Sequence, residues 1–297
     1  MLRRLALGLG ALALIAASGF WALTRPHPLP EATFAGLTGD AAAGETVFWA
    51  GGCASCHAAE GARDDNLLVL SGGRSLESDF GSFRAPNIST DTTHGIGGWT
   101  LAQFGDAMLR GVSPDGQHYY PAFPYAAYRF ATSQDIADLW AYMQTLPASD
   151  RPNEAHDLGF PYTIRRGVGL WKRFALPTGW AVAGELTAEE QRGRYLAEAL
   201  AHCAECHTPR GAFGQLYRDR WLAGAPNPSG RGRIPGITPA QLTWSEAEIA
   251  GYLASGFTPS FDTAGGTMAA VVSSLGRLPQ EDLRAIAAYL KRVPPVE

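Results

Sequence analysis

Two identical patterns of cysteine and histidine hold the residues of this chain best suited to chemistry. The two C-x-x-C-H patterns consist of Cys53, Cys56 and His57 and of Cys203, Cys206 and His207. Two thiols at this spacing can each form a thioether with a vinyl group of a haem, and the adjacent histidine can bind its iron as the proximal ligand. All four cysteines of the chain lie in these patterns. The sequence therefore predicts two covalently bound haem c groups.

Two other uses of paired cysteines are alternatives. A zinc ribbon places its two C-x-x-C pairs about 15–20 residues apart, whereas Cys203 lies 147 positions after Cys56. A thioredoxin-type redox pair needs no histidine directly after its second cysteine. Haem attachment accounts for both the spacing and the histidines.

The repetition extends beyond the cysteines. Trp99 and Trp244 lie 145 positions apart in similar surroundings, and the closing apolar pattern that contains Tyr142 recurs around Tyr289, 147 positions later. Each half has an opening, a middle and a closing helical pattern, and the closing pattern of the first half has apolar residues at i, i+3, i+4 and i+7. The chain is thus predicted to be one haem module built twice.

The predicted fold class is all-α, with two tandem domains of the small cytochrome c type after an N-terminal membrane helix. Short helices that bury apolar faces against one another and a flat cofactor are typical of that type. The predicted segments are an anchor and Pro-rich spacer at 1–30, a first domain at 38–150, a linker at 151–185 and a second domain at 186–297.

Residues 5–23 form an apolar segment without charge, preceded by Arg3 and Arg4. A helix of this length spans roughly the 30 Å hydrocarbon core of a bilayer, and the two arginines favour a cytoplasmic N-terminus. The alternative is a cleaved signal peptide with small residues at 16–18, although its apolar region would be unusually long. Both interpretations place the haem modules on the periplasmic side of the cytoplasmic membrane.

The charge of the chain argues against one class of partner. The formal net charge is −4, and residues 1–30 contribute three arginines and no acidic residue, so the remainder is more acidic still. A nucleic-acid-binding protein would show a basic face. We therefore expect no nucleic-acid partner.

Methionine is the first candidate for a second axial ligand, since electron-carrying haems usually take Met or His there. Met108 and Met143 lie on apolar helix faces, and leucines stand at the corresponding positions of the second half. Both are therefore expected in the core. Met268 lies in a Gly-rich segment between helices, and we predict it to be the distal ligand of the second haem.

The first haem lacks a corresponding methionine. Phe123 stands 145 positions before Met268, and its ring cannot bind iron. The nearest candidate is His118, which gives a predicted His57/His118 coordination. The alternative is that His118 is a solvent-exposed loop residue and that the first haem is five-coordinate or bound by another group.

Several motifs make the chain resemble a known family over residues 38–297. They are Gly72-Gly73-Arg74, Ala85-Pro86-Asn87-Ile88-Ser89, Gly95-Ile96-Gly97-Gly98-Trp99 and the run from Tyr120 to Tyr125. The chain resembles the membrane-bound diheme cytochromes c of proteobacteria. It is more distantly similar to the cytochrome subunits of alcohol and gluconate dehydrogenases, which carry three haems and usually have methionine where Phe123 stands.

This resemblance implies electron transfer from a periplasmic dehydrogenase to a downstream cytochrome or terminal oxidase of the respiratory chain. It also implies that the carbonyl groups of Pro86 and Pro235 hold the proximal histidine rings. Two other classes stay open because Phe123 replaces a ligand. One is a haem enzyme, such as a diheme peroxidase or a thiosulfate-oxidising cytochrome, and the other is a gas sensor.

Overall fold

The computed structural model describes residues 1–228 and 232–296, so residues 229–231 and 297 of the predicted second domain lie outside it. Within the described residues the chain forms twelve α-helices. They are α1 (Leu2–Leu23), α2 (Ala41–Ala50), α3 (Cys53–His57), α4 (Leu101–Arg110), α5 (Tyr125–Tyr128), α6 (Ser133–Met143), α7 (Val168–Ala175), α8 (Ala188–Arg194), α9 (Ala204–His207), α10 (Glu246–Ser255), α11 (Thr267–Leu275) and α12 (Gln280–Arg292). The predicted helical class is confirmed.

In the same described residues, five short strands, which the sequence patterns did not predict, form two small antiparallel sheets. They are β1 (Ser75–Ser78), β2 (Gly81–Arg84), β3 (Asp157–Leu158), β4 (Ala225–Pro226) and β5 (Arg233–Ile234). The first sheet has the order β1-β2-β3 and the second pairs β4 with β5. Strand β3 belongs to the predicted linker, so this sheet ties the linker to the first module.

Each module is built on a close crossing of its opening and closing helices. Helix α2 packs on α6, and α8 packs on α12. A Cβ atom on Gly44 would overlap the backbone of Asp138, and one on Gly193 would overlap the backbone of Ala285. Since only glycine allows helices to approach this closely, both crossings depend on it.

The middle helices begin and end in the same way in both modules. Thr100 before α4 and Ser245 before α10 each form a capping box with the residue three positions later. Gly111 and Gly256 end these helices in the left-handed conformation. Side-chain caps satisfy the free N–H groups at a helix start, and glycine adopts a left-handed stop without strain.

The second module contains one extra residue in its opening helix. Gly44 and Gly193 are 149 positions apart, but Cys53 and Cys203 are 150 positions apart. A π-helical segment, Tyr195–Leu200, lies between the crossing and the cysteines of the second module. A π turn takes one residue more than an α turn, so it restores the register of the haem motif.

The linker is packed against both modules. Lys172 Nζ donates to the carbonyl oxygens of Arg110 and Gly111 at 2.6 and 2.8 Å, at the C-terminal end of α4. Trp171 Nε1 donates to the carbonyl oxygen of Phe213 in the second module at 2.8 Å. Helix α7 thus bridges the two modules.

Helix α1 stands apart from this core. It buries none of its residues, and its length and composition are sufficient to cross a membrane. A signal sequence has the same properties. Its last turn contacts the linker, and Thr24, the residue after the helix, is bonded to His118 of the first module.

The crossing in the second module gives a stability test. We expect Gly193→Ala to lower the free energy of unfolding by about 1–3 kcal/mol, because the methyl group must push α8 away from α12. Chemical denaturation followed by circular dichroism measures this change.

Gly251→Ala is the matched control. Gly251 lies within α10, and a Cβ atom there meets nothing within 4 Å. It should raise the stability by about 0.5–1 kcal/mol through helix propensity. Equal changes in the free energy of unfolding at the two positions would contradict the conclusion that Gly193 allows α8 and α12 to cross closely.

Candidate haem-attachment sites

The first C-x-x-C-H motif is a single helical turn held at the end of the opening helix. Gly52, at φ +63°, turns the chain between α2 and α3. Cys53 and Cys56 are three residues apart on α3, so their side chains lie on one face of that turn. Both thiols are free. This arrangement presents two adjacent thiols to one planar ligand.

The second motif repeats this geometry with one change. Cys203 and Cys206 are also free and lie at the start and near the end of the α9 turn. The left-handed residue before them is His202, at φ +42°, where the first motif has Gly52. A non-glycine residue in this region carries some strain, which its surroundings must offset.

The histidines that end the two motifs are both oriented by a proline carbonyl. Nδ1 of His57 lies 2.8 Å from the Pro86 oxygen, and Nδ1 of His207 lies 2.8 Å from the Pro235 oxygen. A carbonyl only accepts hydrogen bonds, so Nδ1 must carry the proton and Nε2 keeps a free lone pair. Burial also lowers the pKa of both imidazoles, which favours the neutral form. An iron ligand needs this tautomer.

The loops after the two motifs match as well. The amide of Gly72 donates to the His57 carbonyl, and the amide of Gly224 donates to the His207 carbonyl, both at 2.7 Å. These bonds bring each loop back beneath its histidine. Two thiols and one correctly protonated imidazole per module therefore fit a c-type haem.

The two alternative uses of the cysteines fit less well. Within residues 1–228 and 232–296, no cluster of three or more His, Cys, Asp or Glu side chains is placed to hold a metal ion. Burial raises the pKa of Cys53 and of Cys203 to about 12. A thioredoxin-type pair needs a thiol with a lowered pKa, so neither zinc binding nor thiol redox chemistry is supported.

Two isolated β-bridges align the distal segments of the modules. Val112 pairs with His118 in the first module, and Phe257 pairs with Thr263 in the second. The position of His118 therefore corresponds to that of Thr263. Phe123 lies five residues after His118, and Met268 lies five residues after Thr263. The two bridges therefore align Phe123 with Met268, as the offset of 145 positions in the sequence predicted.

Met268 and Phe123 are both partly buried against the hydrophobic core. Met268 is the second residue of α11. Phe123 makes ring contacts with Tyr128 at 5.9 Å and with Tyr119 at 5.8 Å between centroids. Aromatic packing thus occupies the position that holds a thioether in the second module.

His118 lies in a different environment from the one expected. Its side chain is only 4% exposed, so it is not the solvent-exposed loop residue of the alternative interpretation. Nε2 lies 2.8 Å from the carbonyl oxygen of Thr24 at the end of α1. Burial lowers the pKa of this imidazole. Binding of the first haem by His118 stays a prediction, and ligation through Nε2 would require this hydrogen bond to break.

The two attachment motifs adjoin across the interface between the modules. The ring of His202, next to Cys203, contacts the ring of Tyr128 at 5.6 Å. Tyr128 Oη donates to the carbonyl oxygen of Gly51, two residues before Cys53, at 2.8 Å. Helix α11 also contacts α3. The modules therefore meet through the residues that flank their cysteines.

A buried carboxyl group near the second motif was missed from the sequence. Glu198 accepts hydrogen bonds from Tyr289 Oη at 2.5 Å and from the Ala181 amide at 2.7 Å. Burial raises its pKa. Glu198 and Phe48 each stand five positions before the first cysteine of their motif, so comparing the halves residue by residue would have found it.

Comparison with known proteins assigns both modules. A model of the cytochrome c family matches residues 41–147 and again residues 191–294. The chain is 57% identical to a diheme cytochrome c-type protein of Cereibacter sphaeroides over 297 residues, which cover the whole length of both chains.

More distant relatives are subunits of dehydrogenases. The chain is 39% identical over 258 residues to the fructose dehydrogenase cytochrome subunit of Gluconobacter japonicus, covering 84% of this chain and 52% of that protein. It is 32% identical over 268 residues to the gluconate 2-dehydrogenase cytochrome c subunit of Pantoea cypripedii, covering 84% and 58%. The chain thus spans only a little over half the length of these two subunits.

Proposed function

Because the chain belongs to the cytochrome c family, as two tandem domains, we propose that it passes electrons through two covalently bound haem c groups. The proposed donor is a periplasmic dehydrogenase, and the acceptor is a downstream cytochrome or terminal oxidase of the respiratory chain. Electron transfer in general is supported by the diheme and dehydrogenase-subunit relatives. The observation that carries the proposal is the contact between the two attachment motifs through Tyr128 and His202.

The residues that would hold each haem follow from the matched geometry. Cys53 and Cys56 would bind the first haem and Cys203 and Cys206 the second, with His57 and His207 as proximal ligands. Each haem supplies a one-electron iron couple when bound. The chain supplies orientation: its two proline carbonyls fix the imidazole rings and keep Nε2 directed away from the backbone.

The contact between the motifs supports transfer between the two modules. The two cysteine pairs that would hold the haems flank the contact between Tyr128 and His202. Haems bound there would belong to adjoining modules, which supports electron transfer from one module to the other. The electron would leave through whichever module meets the acceptor.

We propose that α1 remains as a membrane anchor and that both modules lie on the periplasmic side of the cytoplasmic membrane. Its length and composition support this, as do Arg3 and Arg4 at its start. Cleavage within residues 16–18 is the alternative, and the mass of the purified protein distinguishes the two.

The haem count tests the proposal directly. We expect the intact mass and a pyridine haemochrome assay to report two haems per chain. Replacing both cysteines of the second motif, Cys203→Ala with Cys206→Ala, should leave one haem, because the thioethers of that site are lost. A count of one in the unmodified protein would contradict the proposal. The same mass shows whether residues 1–18 are present.

Met268 is proposed as the distal ligand of the second haem. Met268→Ala should abolish the weak far-red absorption band of an iron–thioether bond and lower the potential of that haem, since methionine ligation raises it. Met143→Leu is the matched control: Met143 is buried in α6, and leucine stands at the corresponding position of α12. Loss of the band in the control instead would assign the ligand to Met143.

A second candidate function rests on Phe123 at the distal position of the first module. With His118 hydrogen-bonded to Thr24, the first haem would have an open distal face. An open haem fed by a second haem suits an enzyme of the diheme peroxidase or thiosulfate-oxidising type, or a gas sensor. His57/His118 coordination would instead close that face and leave electron transfer as the sole function.

The state of the first haem separates these proposals. We expect the unmodified first haem to be low-spin, as His57/His118 coordination requires. An open site would instead give a high-spin haem that binds carbon monoxide. Phe123→Met would then make it low-spin, and His118→Ala would leave the spectrum unchanged while costing about 1–3 kcal/mol of stability, because it leaves the buried Thr24 carbonyl unpaired. If His118→Ala converts a low-spin first haem to high-spin, His118 is the ligand and the open-site function fails.

A further inference from the structure

The end of helix α1 is held by two arginines of the linker. Arg166 Nη2 donates to the Trp21 carbonyl at 2.9 Å, and Arg173 Nε donates to the Leu23 carbonyl at 2.8 Å. The guanidinium group of Arg166 also lies 3.4 Å from the centroid of the Trp21 ring. The last carbonyls of a helix lack partners within it and carry a partial negative charge. Since α1 has no cation in its last turn, the linker provides it.

Thr24 is the centre of the contact between the end of α1 and the linker, which we call the joint. Its side chain is fully buried, its hydroxyl oxygen accepts from Arg166 Nε at 3.0 Å, and its carbonyl is bonded to His118. A Cβ atom on Gly169, in α7, would lie 2.7 Å from the Thr24 Cα atom. Helix α7 therefore packs directly on the backbone at the end of α1.

This joint determines where the linker lies relative to a membrane. A spanning helix leaves the hydrocarbon core within its last turn. Residues in direct contact with Trp21, Leu23 and Thr24 must then lie at the depth of the lipid headgroups.

The linker exposes apolar side chains near this joint. We define the linker patch as Leu170 and Phe174, which are one turn apart on α7, together with Phe213 of the second module. Leu170, Phe174 and Phe213 are 40%, 58% and 65% exposed. Phe174 and Phe213 contact each other edge to face, with centroids 6.1 Å apart. Grouped exposed aromatic side chains mark an interaction surface.

The same segment of the linker carries positive charge only. Residues 158–184 contain three arginines, Arg165, Arg166 and Arg173, and no acidic residue, in a chain of net charge −4. The fourth basic residue of the segment, Lys172, donates to the carbonyl groups at the end of α4 and is not counted with them. Basic residues interleaved with aromatic and aliphatic ones are typical of segments that lie in a membrane interface and attract anionic lipids. The acidic remainder of the protein surface would repel anionic lipids.

We propose that the linker patch lies in the headgroup region of the bilayer and binds anionic phospholipid, so that α1 and the patch together fix the orientation of both haem modules. The proposal rests on the anchor proposed above. Two contacts with the membrane, one spanning and one on the surface, restrict rotation of the modules about α1. The second module is included, because Phe213 belongs to it and Trp171 bonds its backbone.

Lipid photolabelling of the full-length holoprotein tests the patch. The protein is reconstituted into vesicles of phosphatidylethanolamine and phosphatidylglycerol that carry a photoreactive group near the headgroup, and labelled peptides are mapped by mass spectrometry. We expect labels at the end of α1, in residues 159–176 and at Phe213. Phe257 and Phe261, which are 54% and 87% exposed elsewhere, should stay unlabelled.

Paired variants separate the patch from the anchor. Leu170→Glu with Phe174→Glu should reduce labelling of residues 159–176 to the background level and leave labelling of α1 intact. Phe257→Glu with Phe261→Glu is the matched control and should change neither. The haem absorption spectrum and circular dichroism of each variant verify that it is folded.

The outcomes distinguish the two proposals. Labels in α1 without labels in residues 159–176 would overturn the surface contact and leave the anchor standing. Absence of labels from α1 would overturn the anchor and the patch with it, while the haem count stays unaffected. Chemical cross-links between the patches of two copies, with no lipid label, would assign the surface to self-association and overturn the lipid proposal.

Discussion

The hydrogen bond from imidazole Nδ1 to a proline carbonyl, made once in each module, sets the requirements for the rest of the fold. It holds only if the loop that carries Pro86 or Pro235 returns beneath the motif helix. The Gly72 and Gly224 amides secure that return through the carbonyls of His57 and His207. The motif helix must in turn be held at a fixed angle, which the glycine-mediated helix crossings provide. The returning loop, the motif helix and the helix crossing together fix the orientation of the histidine ring in each module.

The two modules share this frame but differ in the groups placed around it. Met268 and Phe123 occupy corresponding backbone positions with opposite abilities to bind iron. Glu198 brings a buried carboxyl group close to the second motif, where the first has the apolar Phe48. A duplicated fold thus presents two chemically distinct environments, because side chains can change while the backbone contacts that set the frame are retained.

The linker connects every part of the molecule. It contributes β3 to the sheet of the first module, caps α4 through Lys172, and reaches the second module through Trp171. Its arginines bind the end of α1. The linker therefore couples the position of α1 to both modules.

Local patterns were sufficient to predict the haem motifs, the duplication, the helical class and the apolar N-terminal helix. Each depends on residues close together in the chain or on a repeat that can be read by comparison. The alignment of Phe123 with Met268 also followed from the sequence offset, and the β-bridges agree with it. The environment of His118 did not follow, because its partner Thr24 lies 94 positions away. The same holds for the contact between Tyr128 and His202, for the small sheets and for the linker arginines at the end of α1. These features depend on how distant segments pack, and only the tertiary structure decided them.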